Sequence, residues 1–264
     1  ATYRIPLTEP LTNFLLFDTG YVHQEIESTE SKLLNLGVSE LNLKENNWQL
    51  RYGVSADYEN YRQANDDWSD VFYLVPHIGW MKSHFDQDTH PTRGYRLWLS
   101  FSGSSTDIGA DTRFFKAHAG ARWLMPLGKS NFRILTRLEL GAIETDDLLQ
   151  VPVSRRFYTG GDQTIRGYGY HTVATRDEDG ELIGGTYLNV GSFELSGRVA
   201  DQWRGAIFVD TGRAYIHSDE PFSKSVGVGV RWLSVIGAVR VDLAHPLDDD
   251  DTPIKLHVSM GPPI

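Results

Sequence analysis

The chain has 264 residues, 40% of them apolar and 12% aromatic, enough for a large folded body. Its net charge of −10 argues against nucleic acid as a main partner, and the lack of cysteine excludes disulfides, thiolate zinc sites and cysteine nucleophiles. No apolar run approaches the ~20 residues of a spanning helix, which fits a soluble protein or a membrane β-barrel, whose strands alternate.

Period-two alternation recurs from end to end. In 48–58, Trp48, Leu50, Tyr52, Val54, Ala56 and Tyr58 share one face, opposite Gln49, Arg51, Gly53, Ser55 and Asp57. In 95–102, Tyr95, Leu97, Leu99 and Phe101 oppose Arg96, Trp98, Ser100 and Ser102. In 113–125, Phe115, Ala117, Ala119, Ala121, Trp123 and Met125 oppose Lys116, His118, Gly120 and Arg122. In 132–140, Phe132, Ile134, Leu138 and Leu140 oppose Arg133, Arg137 and Glu139, which read as lumen lining. The segments 224–232, 238–243 and 254–260 repeat the pattern, with Arg231, Arg240, Asp242 and His257 on their polar faces.

About 13 strands are predicted, over 1–7, 12–27, 32–45, 48–63, 71–83, 94–105, 112–127, 132–146, 185–199, 204–217, 224–235, 238–246 and 253–261. Several run to about 10 residues or more, as tilted transmembrane strands do. Tight turns alternate with longer polar loops, and Trp and Tyr residues lie near strand ends, where interfacial girdles sit. The fold class is therefore all-β, a transmembrane antiparallel barrel filling 1–264. The odd count is informative. Single-chain bacterial barrels have an even number of strands, with both ends on one rim. Here the last strand ends on the short-turn rim and Ala1 opens on the long-loop rim, so further N-terminal strands are expected before Ala1.

The longest connection, 147–185, is too long for an idle hairpin. It contains Arg155 to Tyr170, RRFYTGGDQTIRGYGY. Arg156, Phe157, Tyr158, Gly160 and Gly161, followed by Arg166, Gly167 and Tyr168, resemble the loop motif of the BamA/TamA superfamily of outer-membrane assembly barrels. The continuation to Tyr170 is most similar to the TamA branch. Gly191–Glu194, Phe208–Gly212, Val226–Trp232 and Leu256–Ile264 resemble the strands that follow that loop.

The resemblance implies a barrel of about sixteen strands, periplasmic POTRA modules upstream, and the outer membrane of a Gram-negative bacterium. It implies assembly of β-barrel or autotransporter clients, with outer-membrane lipids, client proteins and a periplasm-spanning partner such as TamB as partners. No cofactor, metal or enzymatic step is implied. It also implies that the loop folds into the lumen, where Arg166 pairs with Glu194 and Asp210 on the wall. An arginine can bridge two carboxylates because its planar fork is always charged. Glu194 shares its face with Ser192 and Ser196, opposite Phe193 and Leu195, as a lumen residue should. Asp210 shares its face with Phe208, so its parity is only suggestive. Leu256, Val258, Met260 and Gly261 of the last strand would face a client. Pro262 and Pro263 remove donors and would weaken pairing there.

Other clusters read as structure. His84, Asp86, Asp88 and His90 have helical ligand spacing on a segment without helical periodicity, so a solvated turn is expected. Asp248–Asp251 and the 177–181 run lack a calcium loop's spacing and read as solvated loops. Two-partner secretion pores share the loop motif, a passive porin would not need it, and a soluble β-sandwich would fit the alternation alone.

Overall fold

The computed structural model describes residues 1–63, 67–128, 131–235, 237–248 and 253–261. Thirteen strands form one antiparallel sheet in strict chain order. They are β1 (Thr2–Pro6), β2 (Asn13–Ile26), β3 (Thr29–Leu43), β4 (Trp48–Arg62), β5 (Ser69–Phe85), β6 (Gly94–Ser104), β7 (Phe114–Pro126), β8 (Phe132–Glu144), β9 (Tyr187–Ala200), β10 (Trp203–Tyr215), β11 (Ser223–Ser234), β12 (Gly237–Pro246) and β13 (Lys255–Gly261). Among the described residues β1 and β13 are the two edges of the sheet.

The alternation has its membrane sense. Leu36, Ile207 and Val228 point outward and more than half of each is exposed, whereas Asp57, Glu59, Glu194 and Asp210 lie buried on the concave face. A soluble sandwich would bury the first set, so the soluble reading falls. Trp203 and Trp232 lie directly opposite each other at the short-turn ends of β10 and β11, with ring centroids 6.3 Å apart.

The strand predictions hold to within about three residues at the ends, the usual uncertainty of boundaries. The largest departure lies between β2 and β3. Residues 28–31 read as a gap, but Thr29 already pairs with Ile26, and only Glu27 and Ser28 turn the chain. Glu27 takes φ +50°, a left-handed conformation unusual for a side chain of its kind.

The apolar core is small and off-centre. Val71, Tyr73, Val75, Phe114, Leu188 and Val190 point into the lumen near the long-loop rim and pack against Leu148, Val151 and Phe157 of the long connection. The sheet thus curls around that loop.

Candidate functional site

The connection from β8 to β9 folds inward and lies against two opposite stretches of wall. It opens with two short 3₁₀ turns, Leu148–Gln150 and Val153–Arg155. The isolated bridges Phe157–Gly185 and Thr159–Val173 then draw its two arms together.

Arg156 holds the root together from inside. It donates to Val151 O at 2.8 Å, Ile183 O at 2.9 Å, Leu149 O at 3.0 Å and the Gln63 carboxamide at 2.8 Å. Phe157 is buried over Gly141, where a Cβ would come within 2.3 Å of its ring. Tyr158 stacks with His171 at 6.1 Å, and burial pushes its hydroxyl up to about 12. Gly160 and Gly161 have φ near +105°, a region that side chains avoid. A Cβ on Gly160 would also meet Gly169 O at 2.5 Å.

Arg166 sits at the tip with only 6% of its surface exposed. Its Nε and Nη2 donate to the two oxygens of Asp210 at 2.8 and 3.0 Å, and its backbone N–H reaches Asp210 Oδ2 at 3.1 Å. Nη1 donates to Glu194 at 3.0 Å and to Asp242 at 3.4 Å. Ser192 adds a 2.5 Å hydrogen bond to Asp210. Burial disfavours the arginine's charge, but Asp210, Glu194 and Asp242 outweigh it and hold the guanidinium more firmly protonated than usual.

The parity of Asp210 is resolved by its neighbour. Phe208 is on the lumen face because the Arg166 guanidinium lies flat on its ring, 3.3 Å from the centroid. Gly167, at φ +95°, lets the tip pack beside Pro246. Its N–H donates to His257 Nε2 of β13 at 2.9 Å. Tyr168 donates to Asp248 at 2.7 Å.

The structure thus brings Arg166, Glu194 and Asp210 together. It also shows two members that sequence reasoning left as ordinary lining. Arg231 donates to Glu194 at 2.7 Å and to Asp242 at 2.6 Å, so two arginines and three acids form one buried cluster. Their places on the polar faces of β11 and β12 marked them as luminal, but not as members of the cluster.

The second anchor was missed entirely. Glu59 of β4 accepts from Ser154 Oγ at 2.6 Å, Ser154 N at 3.1 Å, Tyr73 OH at 2.9 Å and Ser31 Oγ at 2.7 Å. Arg155 pairs with the fully buried Asp57, and Lys116 donates to Arg155 O at 2.7 Å. At the far end Arg176 pairs with Glu27 at 2.8 and 2.9 Å, and Ser28 donates to Glu181. Glu181, expected at a solvated tip, is therefore engaged with the β2–β3 turn.

Leu256, Val258 and Met260 project outward, each more than 60% exposed, and Gly261 pairs with Ala238. Pro262 and Pro263 lie outside the described residues, as do Asp249, Asp250 and Asp251. In the 84–93 turn, Asp86 accepts from Thr92 N at 2.8 Å, and His90 is 2.8 Å from Ser234 O. No metal-ligand group occurs among the described residues.

Comparison with known proteins agrees with this fold. The model of the Omp85 superfamily domain matches residues 2–261. The outer membrane protein assembly factor BamA of Nitratidesulfovibrio vulgaris is 31% identical over 185 residues, covering 66% of this chain and 23% of that protein. The same-named protein of Neisseria meningitidis is 26% identical over 211 residues, covering 64% of this chain and 26% of that protein. The chain therefore spans about a quarter of the length of these curated relatives. Among solved structures, BamA from Haemophilus ducreyi lacking POTRA domains 1–3 superposes with a TM-score of 0.83 at 16% identity, over 98% of this chain and 61% of that one. CdiB from Escherichia coli gives 0.59 at 13% identity, over 94% and 48%. With the family model matching nearly its whole length, this chain is an outer-membrane β-barrel domain that belongs to the Omp85 superfamily.

Proposed function

We propose that this barrel assists the folding or insertion of outer-membrane β-barrel or autotransporter clients, as its TamA-like loop implies, with a periplasm-spanning partner of the TamB kind. The work is done by backbone rather than by a catalytic group. An edge strand carries unpaired N–H and C=O groups, and a client strand satisfies them by β-augmentation. Strand pairing breaks no covalent bond, so the reading includes no enzymatic step.

The observation that carries this reading is the contact between the loop tip and the edge. Gly167, next to the latched Arg166, donates to His257 of β13, which pairs with β12 on one side only among the described residues. The loop therefore controls how the edge strand is held. In the full-length protein, Arg166→Ala is expected to leave a folded barrel and to lower client levels in the outer membrane. Wild-type client levels would sink the reading.

Polypeptide secretion stands as a second reading, because two-partner secretion pores would share the loop motif. Export of a soluble passenger through the lumen, abolished by a disulfide tying the loop to the wall, would favour it.

A further inference from the structure

On the short-turn half of the lumen, arginines face arginines. Arg96 of β6 lies directly opposite Arg122 of β7, and Arg122 lies directly opposite Arg137 of β8. Like charges placed directly opposite across strands repel and destabilise a sheet. The row is undercompensated. Glu139 is 3.7 Å from Arg122 and shares itself with His118. Asp162, Glu194 and Asp242 line the same recess, but so do Arg166 and Arg240, and Glu194 and Asp242 are engaged by Arg166 and Arg231. Asp210 is already taken up by Arg166. The Nε atoms of Arg96, Arg122 and Arg137 are all buried with no protein acceptor, although Arg137 Nη2 donates to Thr164 O of the loop.

We infer that the Arg96–Arg122–Arg137 row is a docking site for an acidic, extended polypeptide segment entering the lumen from the short-turn mouth. Three considerations select that occupant. Tyr95, Trp123 and Leu138, the neighbours in sequence, point to the opposite face, so lipid headgroups do not meet the row. The outer two arginines are two inter-strand gaps, about 9–10 Å, apart, so one small oxyanion reaches two of the three and leaves the row incompletely paired. Carboxylates on alternate residues of an extended chain repeat every ~6.6–6.8 Å, between the ~4.8 Å of adjacent strands and the ~9.6 Å of the outer two, so two of them fall within the row and flexible guanidinium heads take up the difference. Trp98 supplies an apolar floor, with Arg122 5.7 Å from its ring. On the assembly reading, on which this identification of the partner rests, the segment belongs to a client.

The test uses the full-length protein in nanodiscs and a fluorescent peptide alternating Glu and Ser. Binding is expected to weaken about tenfold for Arg96→Gln or Arg122→Gln and further for both together, the loss of one charge-assisted bond each. The exposed Arg198→Gln serves as a control and should bind normally. A Lys–Ser peptide should not bind, and inorganic phosphate should compete no better than chloride at equal ionic strength. Removing repulsion should leave the thermal midpoint unchanged or raised. Unchanged affinity in the double variant, equal binding of the Lys peptide, or displacement by phosphate alone would each overturn the site. If the peptide binds as described but depletion of the protein leaves clients at normal levels, the assembly reading fails and the docking site stands.

Discussion

Arg166 turns three side-chain nitrogens onto three carboxylates and lays its plane on an aromatic ring. Removing it strands Asp210, which has no exposed surface. Arg166→Ala should cost about 3–5 kcal/mol of loop docking, read as protease sensitivity of 155–175 in an intact barrel. Arg166→Lys should recover little, because an ammonium cannot reproduce the fork. Wild-type protease resistance in Arg166→Lys would show that charge alone holds the tip.

His171 offers a pH probe. It stacks on Tyr170 at 3.9 Å and lies 3.2 Å from the Gln24 amide, and burial, with Lys116 nearby, lowers its pKa below the ordinary value. A histidine depressed in the folded state binds more protons when released, so it favours docking above its free value of about 6.5 and opposes it below. Measured against the intrinsic exchange rate at each pH, the protection of amides in 157–173 should therefore fall as pH drops below about 6.5, and His171→Gln should flatten that dependence. An equal fall in the variant would assign the effect elsewhere. Residue identities in the motif were legible because glycine, arginine and tyrosine at those spacings are chemically specific. Arg231 and Asp242 were not singled out, since a luminal charge has the same alternation whether it is latched or solvated.

At the scale of elements, the strands were legible because their period is local. The Glu27–Ser28 turn was not, because no glycine or asparagine announces the left-handed residue. The loop root was invisible for a different reason. Asp57 and Glu59 alternate with Tyr58 as lining residues would, and their partners lie 98 and 95 residues away in the chain. A double-mutant cycle between Asp57→Asn and Arg155→Gln should give a coupling of roughly 0.5–3 kcal/mol by urea unfolding. Strict additivity would mean that the two side chains act independently. Gly167→Ala should loosen the tip without unseating the root, because its φ is +95° and its Cβ would lie 3.3 Å from Pro246.

At the scale of the molecule, one loop spans the lumen from β4 to β12. The interior is thus a partitioned space, unlike the open channel of a porin. Single-channel recordings should show small or intermittent currents, and Arg166→Ala should enlarge them. Large steady openings in the unmodified protein would favour the porin. The strands followed from alternation, the membrane barrel from strand length and the alternation of short turns with long loops, and the family from the loop motif. What the barrel handles was not legible, because the proposed recognition is of backbone, which every polypeptide shares.

The latch also sets an order in time. Arg166 must await Asp242, 76 residues later in the chain, and Arg155 must find Asp57, 98 residues earlier. Contacts of such separation form late, after the local hairpins are made. The loop is therefore expected to seat after the walls, so weakening it should quicken unfolding and barely slow folding. A barrel that has closed with its last strands out of register would have no Asp210–Asp242 cradle to offer. Seating of the tip thereby separates a correctly finished barrel from a misthreaded one.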